Sequence, residues 1–73
     1  MADHVITSEV AGMVWKIEAS AGQTVAAQDT IMILESMKME VPVPAPAAGT
    51  LRELLVEEGE TIGEGQRLAV IEG

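Results

Sequence analysis

Ala11-Gly12-Met13-Val14-Trp15-Lys16-Ile17 and, thirty-seven positions later, Ala48-Gly49-Thr50-Leu51-Arg52-Glu53-Leu54 decide the architecture, because they show that the chain repeats itself. The overlay runs without a gap from Ala11–Ser36 onto Ala48–Gly73, with Ala11-Gly12, Gly22, Thr24 and Glu35 meeting identical residues. Five identities in twenty-six pairs are weak by themselves. The apolar positions settle it: Val14/Leu51, Ile17/Leu54, Ala19/Val56, Val25/Ile62, Ile31/Leu68, Ile33/Val70 and Leu34/Ile71 keep their character. An internal duplication explains this pattern, with halves of approximately residues 1–36 and 37–73 inside one domain.

Each half reads as strands. Glycines at 12, 22, 49, 59, 63 and 65 leave apolar stretches too short for a globular helix, and β-branched residues fill them. The predicted strands are His4–Ser8, Gly12–Ile17, Thr24–Val25, Thr30–Leu34, Glu40–Pro44, Thr50–Val56, Thr61–Ile62 and Arg67–Ile71. Alternation puts Ile31 with Ile33, and Leu68 with Val70, in the core. Val14 and Ile17 lie three apart, as do Leu51 and Leu54, so period two breaks at the same place in both halves and predicts a bulge or a strand changing sheets. Pro42 and Pro44 leave one side of an extended strand without N–H donors, which fits an edge strand better than a linker. Gly22 and Gly59 are expected to hold equivalent turns with positive φ.

A chain of 73 residues is one small domain. Cysteine is absent and His4 is the lone histidine, so no thiolate or histidine metal site is expected, and no Ser-His-Asp constellation is present. The formal charge of −8, with Lys16, Lys38, Arg52 and Arg67 as the only cations, argues against nucleic acid and anionic membranes. That charge serves solubility or a partner with a basic surface, and composition does not separate the two. Trp15, the single aromatic residue, reads as half-covered packing. No apolar run is long enough to span a bilayer, and Met1-Ala2-Asp3-His4 lacks a basic leader, so a cytoplasmic protein is expected.

Between the fourth and fifth predicted strands there is room only for a tight turn, and it carries Lys38. The turn lacks an Asn-Gly or Asp-Gly pair, and two methionines flank the lysine where polar residues are usual. Composition by itself favours an ordinary solvated lysine, with Met37 and Met39 filling gaps on the rim.

Glu35-Ser36-Met37-Lys38-Met39-Glu40 resembles the attachment motif of biotin carboxyl carrier proteins and carboxylase biotinyl domains, usually Glu-Ala-Met-Lys-Met. Ala45-Pro46-Ala47-Ala48-Gly49 is similar to that family's lead-in to the second half, and Val56–Ile62 to its valine-to-glycine turn. The resemblance implies an all-β flattened barrel or sandwich of two four-stranded antiparallel sheets with internal two-fold pseudo-symmetry, monomeric on its own. It implies covalent biotin on Lys38, with Glu35, Met37, Met39 and Glu40 shaping the turn or its recognition by biotin protein ligase. It further implies a non-catalytic carrier that shuttles a carboxyl group between biotin carboxylase and carboxyltransferase sites. Ser36 stands where alanine is usual. The gap-free repeat leaves no room for the inserted thumb of some bacterial carriers, and Met1 favours a stand-alone carrier over a fragment.

A lipoyl carrier of 2-oxoacid dehydrogenase complexes shares the fold and the hairpin lysine implied by the resemblance, but usually shows Asp-Lys-Ala. Met37 and Met39 therefore favour biotin. Unmodified barrel domains of membrane-fusion adaptors lack the lysine motif.

Overall fold

The computed structural model describes residues 3–73; Met1 and Ala2, part of the start read above for a leader and for a stand-alone chain, lie outside the described residues. Eight strands form: β1 (Asp3–Thr7), β2 (Gly12–Ile17), β3 (Thr24–Val25), β4 (Thr30–Ser36), β5 (Met39–Pro44), β6 (Gly49–Leu54), β7 (Thr61–Ile62) and β8 (Arg67–Glu72). They build two four-stranded antiparallel sheets, ordered β1-β8-β6-β3 and β5-β4-β2-β7. Moving each strand of one order four places along the chain produces the other, so the duplication read in the sequence is a two-fold relation between sheets. Each sheet draws strands from both halves, which ties the halves together.

The sheets pack face to face as a flattened sandwich, 35 Å long and 17–18 Å across. Ile31, Met32, Leu34, Leu51, Leu68, Ile71 and Val14 are fully buried between them. Each such side chain contributes roughly 1.5–3 kcal/mol on leaving water. Ile33, which alternation places with Ile31 in the core, is instead only partly buried, because the β4–β5 register shifts between Thr30 and Met32 and turns Met32 and Leu34 inward. The expected interruptions of period two are present: the β2–β4 register shifts between Val14 and Lys16, and the β6–β8 register between Leu51 and Glu53. The bulge turns Val14 and Ile17 inward and pushes Trp15 and Lys16 outward. β5, with its two prolines, is an edge strand that pairs only with β4.

Several strand ends differ from the sequence reading by one or two residues. β6 stops at Leu54, because Leu55 leaves the ladder to donate a single bond to the Leu68 carbonyl (2.8 Å) while Val56 plugs the core, as Ala19 does after β2. β4 and β5 run to Ser36 and from Met39, so the hairpin between them is shorter than the flanking residues indicate.

Gly22 and Gly59 have φ of 91° and 87°, and their N–H groups donate at 2.7 Å to the Leu51 and Val14 carbonyls, the bulge residues of the opposite half. A Cβ at either position would meet nothing within 4 Å, so alanine costs only the left-handed backbone. Gly22→Ala and Gly59→Ala are therefore expected to lose about 1 kcal/mol each, and equally. Urea melts of the two variants check this, and a twofold difference in loss would break the equivalence.

Candidate functional site

Lys38 sits at the tip of a two-residue hairpin. Glu35 pairs with Glu40 and Ser36 with Met39, leaving Met37 and Lys38 as the turn. Both have positive φ, 52° and 64°, the geometry that matches the twist of paired strands but disfavours side chains larger than glycine or asparagine. Each left-handed residue costs roughly 1–2 kcal/mol. The fold tolerates this cost because two bonded strands and a hydrogen bond hold the base. The Ser36 hydroxyl donates to the Ala11 carbonyl at 2.8 Å, pinning the root of the hairpin to the start of β2. An alanine, usual at this position in the motif, makes no such bond.

Gly12 completes the root. Its place against β4 is so close that an added Cβ would overlap the Glu35 carbonyl oxygen and lie 3.1 Å from the Glu35 carbonyl carbon. The repeat-related Gly49 is held against Glu72 in the other sheet in the same way. The turn is thus the two-fold counterpart of the place where β1 and β8 bring the chain ends together: Asp3 pairs with Glu72 as Glu40 pairs with Glu35.

The tip is open to solvent. Lys38 is exposed, and it takes part in neither ion pair that the described residues form, Lys16–Glu18 and Arg52–Asp3. Met37 is 91% exposed and Met39 65%, so neither fills a gap on the rim. Glu35 and Glu40 are exposed and directly opposite, a like-charge pair that weakens the hairpin by a few tenths of a kcal/mol. The structure therefore brings all five residues singled out in the sequence, Glu35, Met37, Lys38, Met39 and Glu40, to one hairpin. Sequence reasoning missed the roles of Ser36 and Gly12; the Ala11-Gly12/Ala48-Gly49 identity was the available signal for the second.

The family described as "Biotin-requiring enzyme", the biotin–lipoyl family, matches residues 2–71. The chain belongs to that family. It is 36% identical over 63 residues to the biotin/lipoyl attachment protein of Bacillus subtilis, covering 86% of each chain. It is 43% identical to a segment of Bacillus subtilis pyruvate carboxylase, covering 92% of this chain but 6% of the enzyme. Its fold superposes on the urea carboxylase of Kluyveromyces lactis with a TM-score of 0.93 and 33% identity, over 99% of this chain and 6% of that one. The chain thus spans most of the Bacillus attachment protein and a small part of the two carboxylases.

Because their side chains bury little area, Met37 and Met39 of this family member contribute little to its stability. Replacing both with alanine is expected to shift unfolding by less than about 0.5 kcal/mol. Thermal melts check this, and a drop of several degrees would make them packing residues.

Proposed function

We propose that residues 1–73 act as one covalent biotin carrier, acylated on Lys38, in a biotin-dependent carboxylase. The observation that supports this most directly is an exposed, unpaired amine at the tip of a two-residue turn, flanked by two solvent-facing thioethers in a chain of the biotin–lipoyl family. The site fits the group: an amine held clear of both sheets can enter another protein's active site, and no ion pair has to break first.

What the chain's own residues do is mainly positional. The Ser36–Ala11 bond and the Gly12–Glu35 contact hold the hairpin root, and the left-handed Met37-Lys38 pair makes the tip narrow. The amide forms between Lys38 Nζ and an activated biotin carboxyl, which a ligase has to supply and bring to the exposed turn. When attached, biotin supplies the ureido nitrogen that accepts and gives up a carboxyl group, and the protein supplies its location. On this reading the chain carries and does not catalyse. Biotin carboxylase and carboxyltransferase are the sites it visits, with contacts weak enough to release. The cytoplasm, where ATP for ligation is available, is the compartment.

Lipoate is the second reading, carried by the likeness to the Bacillus relative, a biotin/lipoyl attachment protein. Intact mass and peptide mapping after incubation with biotin protein ligase, ATP and biotin test the first reading. One biotin on Lys38 is expected. Lipoate taken up from lipoate ligase while biotin is refused would keep the carrier and change its cargo.

A further inference from the structure

The duplication supplies an internal control for every surface position. Cross-strand partners share a face, so the register lays out the outer face of the hairpin-bearing sheet in rows. Nearest the tip are Met13, Glu35 and Glu40; behind them come Trp15 with Lys16, then Ile33, then Pro42. At the repeat-related positions the other sheet has Thr50, Glu72 and Asp3, then Arg52 with Glu53, Val70 and Val5. The same bulge in the same topology therefore folds with threonine and arginine where the hairpin sheet has methionine and tryptophan. Trp15 is 47% exposed and Ile33 stays partly open, whereas Val70 is buried and Arg52 pairs with Asp3. Nothing in the packing requires an apolar surface there.

We propose that this face, built from Met13, Trp15, Ile33 and Pro42 and continuous with the Lys38 hairpin, is the docking surface for the ligase that acylates Lys38. The ligase is expected to present an apolar hollow edged with arginine or lysine. This rests on the reading of Lys38 as the attachment site.

An enzyme that encloses the tip also has to cover a flank, since a specific interface takes about 800 Å² from each partner and a two-residue turn offers far less. The flank with the extra apolar residues is the one beneath the turn. A half-exposed tryptophan is the side chain most often found to dominate such an interface, because it buries a large area for little conformational entropy. Charge fixes the partner's rim. Glu35 and Glu40 face one another between the patch and the tip, and Lys16, the one cation of these rows, is paired with Glu18 at 3.6 Å. A basic rim relieves the repulsion between the two carboxylates.

The test is steady-state biotinylation of the whole chain by purified biotin protein ligase with ATP and biotin. Trp15→Arg and Met13→Thr install the residues that the second half already carries at the same places, so melting temperatures should stay near the wild type. Trp15→Arg is expected to raise the KM for the carrier about thirtyfold with kcat within about twofold, Met13→Thr to raise it less, and Trp15→Phe to restore most of the loss. Val5→Thr, on the corresponding face of the other sheet, should label like the wild type. An unchanged KM in both Trp15→Arg and Met13→Thr, or a loss confined to kcat, overturns the docking face alone. A wild-type chain that takes no biotin overturns the attachment reading and this inference with it.

Discussion

A Lys38→Arg chain is expected to melt with the wild type and to take up no biotin, while Lys16→Arg labels normally. The first half of that result follows from exposure: the side chain at the tip is exposed and joins neither ion pair of the described residues, so arginine takes its place without loss. The second half follows from chemistry. Guanidinium stays protonated at any pH the ligase tolerates and its delocalised electrons make it a poor nucleophile, so conserving the charge does not conserve the reaction. Lys16 is the control because it is the only other lysine, lies on β2 at the bulge and is paired with Glu18. Acylation removes one positive charge, so the formal charge moves from −8 to −9, visible on a native gel as well as by mass. Biotin on Lys38→Arg, or its loss in Lys16→Arg, would falsify the assignment of the site.

Gly12→Ala should be the most damaging single-methyl change in the molecule for function, and Gly49→Ala its structural equal. Both place a Cβ inside contact distance of a strand carbonyl, Glu35 in one case and Glu72 in the other. Neither neighbour is a flexible side chain, so the strand itself has to move. The expected cost is about 3 kcal/mol or more, a fall in melting temperature of about 15 °C or more for a domain of this size. The two variants should part company in labelling. At a temperature where each is still folded, Gly49→Ala should accept biotin at the wild-type rate, because its distortion lies at the chain ends, in the other sheet. Gly12→Ala displaces Glu35 and Ser36, the root of the Lys38 hairpin, and should label several-fold more slowly. Equal labelling of the two would mean that the hairpin tip is insensitive to its root.

Much of this was legible in the sequence because the physics involved is local or periodic. The shift of 37 positions, the paired glycines and the twice-broken alternation were enough to place eight strands, two bulges and two left-handed turns within a few residues. The motif around Lys38 likewise needed no coordinates, but it was legible only through its resemblance to the biotinyl attachment motif, since composition by itself favoured an ordinary solvated lysine. Other features depended on residues distant in sequence. Gln28 shares its left-handed turn with Gly65, φ 75° and 84°, but without glycine in both halves nothing marked it.

Nor does the sequence contain the register of β2 against β4, which is set when the two sheets close over one core. That register makes Gly12 a contact of Glu35, gives the Ser36 hydroxyl the Ala11 carbonyl, and brings Met13, Trp15, Ile33 and Pro42 onto one face. Trp15, read from composition as half-covered, is half-covered, and the register places it beside the hairpin. By itself the sequence determined which residues form strands and which lysine falls in the turn between two of them, because alternation and chain punctuation act over neighbouring residues. Tertiary structure alone decided how tightly that lysine's turn is drawn and what surface lies beneath it, because both depend on pairings between segments that only the folded core brings into contact.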